Sequence, residues 1–369
     1  MWGRIRALIG KEFLAVWKDK KSRAVIIGPP IIQLLVFGYA ATFDVNHVAT
    51  AIYNEDAGVL GRDFVARFEG SPAFTVVEHI DHDRDIAEAI DPKTVALVVH
   101  VAETFSADLI AGRPAKVQFV VDGRSSNTAL IVLGYANRIV ATFNRDWAIA
   151  NGRPLPPASL VARAWFNTTL DSQWFFVPGI VALLTLVVTM VVTALSVARE
   201  REMGTFEQLL VTPLRPTEIL IGKSVPALVI GLVEGGAIIA VGVFWFGVPL
   251  RGDLGLLYAG LVLYLLAVTG VGLMISSISR TQQQAILGAF LFVVPAIILS
   301  GFATPIANMP VLIQDLTLID PMRYFLIIVR GIFLEDPPAA RIHAQLWPMA
   351  VIALATLVGA GWLFRHRLS

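Results

Sequence analysis

The sequence contains no cysteine. That excludes a disulfide framework, a thiolate metal site and a cysteine nucleophile. Charge is scarce too: Asp, Glu, Lys and Arg make up 15% of the 369 residues, against about 25% in a soluble domain. The deficit is uneven. Long uncharged stretches alternate with segments of ordinary polarity, the mark of apolar spans joined to wet segments. A net charge of +1 gives no bulk attraction for nucleic acid, so none is expected as a partner. A working phosphate loop is also missing. Gly222-Lys223-Ser224 has the right ending, but Thr217 stands where the first glycine belongs, and Glu218, Ile219, Leu220 and Ile221 are bulky and helical, so no nest of backbone N–H groups forms. There is no G-x-S-x-G elbow. His79 and His82, beside Asp81 and Asp83, lack the i, i+4 spacing of a zinc helix and read as a solvated turn and N-cap. No catalytic residue, metal ligand or cofactor is expected on this chain.

What is present is apolar length. Hydrophobic residues make up 56% of the chain. Six runs stand out, at 24–43, 175–198, 224–246, 256–278, 285–303 and 346–364. Each has about 20 residues, enough for roughly 30 Å of hydrocarbon. The first follows a basic stretch, but it is longer than a signal-peptide core and is read as a retained span. A further run, 324–334, is too short to cross and contains Arg330; it reads as re-entrant or interfacial. With the N-terminus inside, fourteen Lys and Arg flank the spans on the cytoplasmic side and four (Arg251, Arg323, Arg330 and Arg341) on the other. The bias puts both termini in the cytoplasm. Residues 1–23 read as an amphipathic helix on the membrane surface, with Ile5, Leu8, Ile9, Phe13, Val16 and Trp17 on one side and Arg4, Arg6, Lys11 and Lys18 on the other; the alternative is a solvated juxtamembrane helix.

Residues 44–174 have ordinary polarity and alternate strand with helix. Strands are expected at 48–53, 74–78, 94–101 and 117–122, and helices at 60–68, 84–90, 105–111 and 127–150. The expectation is an extracytoplasmic α/β domain inserted in an α-helical membrane protein of six transmembrane helices. Residues 175–369 carry the second to sixth spans.

Three places in the spanning part could carry function. After the second span the chain is charged and then amphipathic, with Met203, Phe206, Leu209 and Leu210 able to share a face before Pro213, a form that a partner domain grips. The alternative is a solvated loop. Glu234 lies near the middle of the third span among Gly231, Gly235, Gly236 and Ala240. A carboxylate there either lines a path or latches a conformation, or sits protonated against a neighbouring helix. Ser300, Gly301 and Phe302, then Asn308, Met309 and Pro310, break the chain after the fifth span. Residues 303–335 read as an outer re-entrant gate or as a helical cap on the bundle.

At these residues the sequence resembles a known family. The stretch REREMGTFEQLLVTPLRPTEILIGK at 199–223 is similar to the cytoplasmic signature of type 2 ABC exporter permeases, in the subgroup with a large outer domain after the first span. FVPG at 176–179, ISS at 275–277, QQQA at 282–285, SGF at 300–302, NMP at 308–310 and RGIF at 330–333 fit the same pattern. Ala303-Thr304 departs from it where the family carries bulkier apolar residues. The resemblance implies two paired permeases, identical or paralogous, each engaging a separate ABC ATPase subunit that holds ATP and Mg. It implies a coupling helix over 199–212, with Arg199, Glu200, Arg201, Glu202, Gly204, Thr205, Phe206, Glu207 and Leu210 at the ATPase. It also implies export of a hydrophobic or amphipathic compound, drugs among them, across a bacterial inner membrane, often with a periplasmic adaptor. The rival reading is a proton-coupled secondary transporter working through Glu234, although no internal repeat supports it.

Overall fold

A backbone in hydrocarbon must satisfy its own hydrogen bonds, so long apolar runs are forced into helices. The computed structural model describes residues 2–18, 20–39, 45–155, 163–168, 171–206 and 214–366, and divides the chain into two units, Met1–Ala41 with Ala164–Ser369, and Thr42–Arg163.

In the first unit, α1 (Trp2–Lys18) and α2 (Lys20–Tyr39) precede the second unit in sequence. After it come α7 (Ser172–Glu202), α8 (Pro216–Phe244), α9 (Leu254–Ile278), α10 (Gln282–Leu299), the short α11 (Val311–Leu316), α12 (Pro321–Leu334) and α13 (Ala339–His366). Five of these, α7, α8, α9, α10 and α13, are long and apolar enough to cross a membrane. They contain most of the second to sixth runs read from the sequence. The chain is thus a multi-pass membrane protein. The first run differs: the apolar part of α2 is Ile26–Tyr39, short of a full crossing, and residues 40–43 of the expected span lie outside the described residues.

The centre of the bundle is α7. It packs against α2, α8, α9, α10 and α12, and it is buried on every side, from Val177, Ile180 and Val181 to Ala194, Val197 and Ala198. A helix with no polar face needs partners all round. Two of its hydroxyls turn back on its own carbonyls, Thr185 Oγ1 donating to Val181 O (2.6 Å) and Thr193 Oγ1 to Thr189 O (2.7 Å). The Tyr264 hydroxyl of α9 donates to Ala182 O at 2.9 Å, while its ring stacks on Phe325 of α12 at 4.7 Å. Close approach of α8 depends on missing side chains: a Cβ on Gly231 would stand 2.6 Å from Thr189 Oγ1, and one on Gly235 would stand 2.8 Å from Leu261 Cδ2. The short run at 324–334 belongs to α12. Asp320 caps this helix by accepting from the Met322 N–H at 3.0 Å, Pro321 suits its first turn, and most of its side chains are buried in the bundle.

The second unit has a four-stranded sheet: β1 (Val48–Asn54), β2 (Phe74–Ile80), β3 (Leu97–Val101) and β4 (Val117–Val121), in the order β2-β1-β3-β4. β1 is parallel to β2 and β3, and β4 is antiparallel to β3. The helices between and after the strands are α3 (Val59–Glu69), α4 (Asp85–Ile90), α5 (Phe105–Ile110) and α6 (Ser126–Ala150). Alternation along the strands sends Val48, Ile52, Leu97 and Val99 to a face filled by Phe64, Phe68, Phe105 and Phe143. The opposite face takes Ala51, Tyr53 and Val98 against Ala89 and Ile86 of α4. At the end of β1, buried Asp56 accepts from the N–H of Gly61 (3.2 Å) and from both the N–H (3.3 Å) and the hydroxyl (2.5 Å) of Ser106, tying α3 to α5. Next to it, His100 Nε2 (2.8 Å) and the Tyr53 hydroxyl (2.7 Å) donate to Glu55. These bonds, His100 first, hold the Glu55 carboxyl below the usual carboxylate range.

Two outcomes are expected. Gly235→Leu should lower the unfolding midpoint in detergent through overpacking of about 1–3 kcal/mol, and Leu261→Ala in the same chain should recover part of it; a midpoint unchanged by Gly235→Leu would contradict the contact. The depressed Glu55 group contributes stability above its unfolded value of about 4.3 and loses it as pH falls through the lower folded value. Glu55→Gln should therefore flatten the acid limb of domain unfolding, read by intrinsic fluorescence.

Candidate functional site

Glu12 is an acidic residue on the apolar stripe of an amphipathic helix. It lies one turn beyond Leu8, on the same face as Ile5, and all three are buried. A carboxylate in that position needs a cation, and α8 supplies one. Lys223, 3% exposed, lies in the third turn of α8, where its ammonium is 3.0 Å from Glu12 Oε1 and 2.8 Å from Glu200 Oε2. The second contact is off the hydrogen-bond axis and is Coulombic. The ammonium also donates to the carbonyl and hydroxyl oxygens of Ser196 at 3.2 and 3.3 Å. Glu200, 6% exposed, takes a second cation, Lys11, at 2.5 Å. Two ammonium groups and two carboxylates thus alternate through α1, α7 and α8. Buried charge on this scale is tolerated because each group has an opposite partner.

The last turn of α7 reaches two further helices. Arg201 Nη1 donates to the carbonyls of Ser277 (2.6 Å) and Ser279 (3.2 Å) at the end of α9, which lie where the helix dipole favours a cation. Its guanidinium lies 4.8 Å over the Phe206 ring, and Phe206 packs with Leu8, Val197, Ile219 and Phe364. Glu202 Oε2 accepts from the Gln282 N–H at 2.6 Å, at the start of α10. The helix then stops in a Schellman turn. The Gly204 N–H donates to Arg201 O (3.1 Å) and the Thr205 N–H to Glu200 O (3.0 Å), with Gly204 at φ +69°. The sequence reading placed a coupling helix over 199–212. Residues 199–202 are instead the last turn of α7, and the chain turns sharply at Gly204. Glu207 and Leu210, with the rest of 207–213, lie outside the described residues. Gly222-Lys223-Ser224 is helical, as its neighbours required, and Gly222 leaves room for Leu8: a Cβ there would stand 2.7 Å from Leu8 Cγ.

Glu234 is separate from this cluster. Both its carboxylate oxygens are buried and have no hydrogen-bond partner among the described residues. The third group spreads along the chain. Ser300 is buried, donating to Ile297 O at 2.8 Å and accepting from the Phe302 N–H at 3.2 Å, and Gly301 turns at φ +85°. This swings Phe302 over α7, where a Cβ on Gly179 would stand 2.6 Å from its ring. Asn308 ends a 3-10 turn, Ile306–Asn308. Met309 O accepts from Gln314 Nε2 at 2.8 Å, and Pro310 precedes α11. Sequence reading missed two features here. One is Glu12, whose signal was its place on an apolar stripe. The other is Arg330 of α12, whose guanidinium lies 4.1 Å over the Phe175 ring; its signal was a cation inside an apolar run.

Lys223→Met should destabilise the protein by about 3–5 kcal/mol, because it leaves two carboxylates without their shared ammonium. Combining it with Glu12→Gln should restore part of that loss in a thermal melt. Additive losses would contradict the coupling.

Comparison with known proteins gives the arrangement a family. Residues 20–362 match the model of the ABC-2 family transporter protein. The chain is 40% identical over 368 residues to the probable multidrug ABC transporter permease YbhR of Escherichia coli K12, covering 100% of both chains. It is 35% identical over 372 residues to the probable multidrug ABC transporter permease YbhS of the same strain, covering 99% of this chain and 97% of that one. It is 22% identical over 344 residues to the linearmycin resistance permease protein LnrN of Bacillus subtilis 168, covering 87% and 89%. A bundle of spanning helices without a nucleotide loop, matched to that family over nearly its whole length, belongs to the ABC-2 transporter family as a permease subunit whose ATPase is a separate chain.

Proposed function

We propose that the chain forms the path of an exporter that moves hydrophobic or amphipathic compounds, drugs among them, out across a bacterial inner membrane. The names of the relatives YbhR and YbhS support that class of cargo. In this reading α2, continued through residues 40–43, is a sixth span. Both termini are cytoplasmic, and the unit Thr42–Arg163 is extracytoplasmic. The excess of Lys and Arg beside the proposed inner ends supports this orientation. Two permeases pair, each with an ABC ATPase subunit that carries ATP and Mg, and a periplasmic adaptor joins them outside. Exposed Trp2, Leu14 and Trp17 on α1 suit contact with membrane lipid. Energy comes from ATP in this family, so Glu234 is read as a path or latch residue and not as the proton carrier of a secondary transporter.

One observation carries the mechanism: the Arg199–Glu202 turn contacts α1, α8, α9 and α10 at once. An ATPase that grips the chain just beyond this turn, at exposed Met203 and Gly204 and onward through Glu207 and Leu210, pushes on a hub. The push reaches α7, which packs on most of the bundle. Movement of α7 shifts Gly179 and Phe175 against Phe302 and Arg330, and the segment from Ser300 to Pro310 with residues 303–335 opens as the outer gate. Exposed Val311, Leu312 and Ile319 support a segment lying against lipid. In this reading the acidic residues do different work. Glu200 holds the bundle together through Lys223 and Lys11, while Glu202 and Glu207 are the contacts to the ATPase.

The test is copurification with the ATPase encoded beside the chain. Glu202→Lys with Glu207→Lys should abolish the complex and lower the melting midpoint only as much as Glu202→Ala, which loses the same Gln282 contact, whereas Glu200→Lys should lower the midpoint further. A complex that survives the double reversal, or transport driven by a proton gradient without the ATPase, would overturn this reading.

A further inference from the structure

Two helices of the unit Thr42–Arg163 end in the same tripeptide, Gly112-Arg113-Pro114 after α5 and Gly152-Arg153-Pro154 after α6. Each end is a Schellman turn. The Gly112 N–H donates to Leu109 O (3.0 Å) and the Arg113 N–H to Asp108 O (2.7 Å); the Gly152 N–H donates to Ile149 O (3.3 Å) and the Arg153 N–H to Ala148 O (2.9 Å). The glycines take φ +70° and +61°, and each proline forbids another helical turn. The two caps meet. Arg153 Nη2 lies 3.2 Å from where a Cβ on Gly112 would be, so only glycine leaves room for the second guanidinium beside the first cap.

The caps stand at the mouth of a cleft of about 1200 Å³, roomy by the roughly 300–1,000 Å³ of sites that hold drug-sized molecules. One wall is the edge strand β4, where Val117 and Phe119 face the cleft. The other is the face of α6 carrying Val140 and Trp147, with the core rings of Phe143 and, from α5, Phe105 beneath. The cations of the lining are Arg113, Lys116 and Arg153, all exposed; His100, Gln118, Asn137 and Asn144 also line the cleft, and no acidic residue does. Asp108, just behind it, is held by Arg113 at 2.7 Å, which fixes that guanidinium in place and balances one of three cations. Lys116 and Arg153 have no ion-pair partner among the described residues. Arg153 lies 6.0 Å over the Trp147 ring, an aromatic that a ligand's body could share.

We infer that this cleft is a binding site for an amphipathic anion, whose apolar body lies between β4 and α6 and whose carboxylate, sulfonate or phosphate lies between Arg113 and Arg153. Apolar walls carrying several polar side chains, with every charged one a cation, fit such a ligand, and two guanidiniums suit a planar or tetrahedral anion. The inference stands on this unit alone and does not depend on the export reading. The anion could be a free amphiphile or an anionic lipid headgroup with its chain, since both present the same chemistry.

The experiment uses the full chain in phosphatidylcholine nanodiscs and a dodecanoic acid carrying a photoreactive diazirine, with adducts mapped by mass spectrometry. Adducts are expected on residues 105–119 and 137–154. Arg113→Gln with Arg153→Gln should cut them by about tenfold or more, the loss of two charge-assisted contacts, while adducts on the membrane helices and the melting midpoint stay unchanged. Arg153→Lys should retain most of the labelling, which separates lost charge from lost folding. The matching dodecanol probe should label the cleft no more than the acid labels the double variant. Displacement by phosphatidylglycerol in the discs assigns the site to a lipid, and displacement by soluble dodecanoate alone assigns it to a free amphiphile. Absent cleft adducts, or equal labelling by the alcohol, would overturn the inference.

Discussion

The spanning unit depends on one buried ammonium. Lys223 links Glu12 to Glu200, and so joins a surface helix, the central helix and the helix that follows. In apolar surroundings such a link has little tolerance for loss. Removing the lysine would leave Glu12 without its buried partner and Glu200 with Lys11 alone. Hydrophobic packing could hold these helices together with less specificity. Alternating charge fixes their register, because sliding α1 by one residue would remove Glu12 from its partner.

The same link gives the nearby sequence a structural task. Four successive charged residues at Arg199–Glu202 suggest solvent, but the turn also makes inward contacts. Glu200 and Arg201 turn inward, to Lys223 and to the end of α9, whereas Glu202 stays exposed beside Gln282. Successive charges at the end of a buried helix point to different sides, so one turn can hold inward ion pairs and still leave a carboxylate exposed.

Much of this was legible in advance. The strands and helices of the unit Thr42–Arg163 followed from strand–helix alternation and from turn residues, because short apolar strands such as Val48–Asn54 and Leu97–Val101 are separated by polar turns and amphipathic helices. The five long spans followed from length and hydropathy. The pairing of Glu12 with Lys223 was not legible, since the two lie far apart in sequence and only tertiary contact joins them. The stop at Gly204 was missed for a related reason. Met203, Phe206, Leu209 and Leu210 have helical spacing, and a periodic pattern does not show where a left-handed glycine interrupts it. The twin Gly-Arg-Pro caps were visible as letters, but their meeting at one cleft required the fold.

The contrast between α7 and α13 has a consequence for how this chain can change. Nearly every side chain of α7 touches another helix, whereas Val351, Leu354 and Val358 of α13 are exposed in the single chain and meet acyl chains wherever a paired permease does not cover them. A lipid tail accepts any apolar shape, but a packed neighbour accepts few. Among natural variants of this chain, α13 is therefore free to exchange leucine for valine or phenylalanine along its outer side. The central helix must keep its volumes residue by residue, and its drift has to be matched by changes in the helices around it.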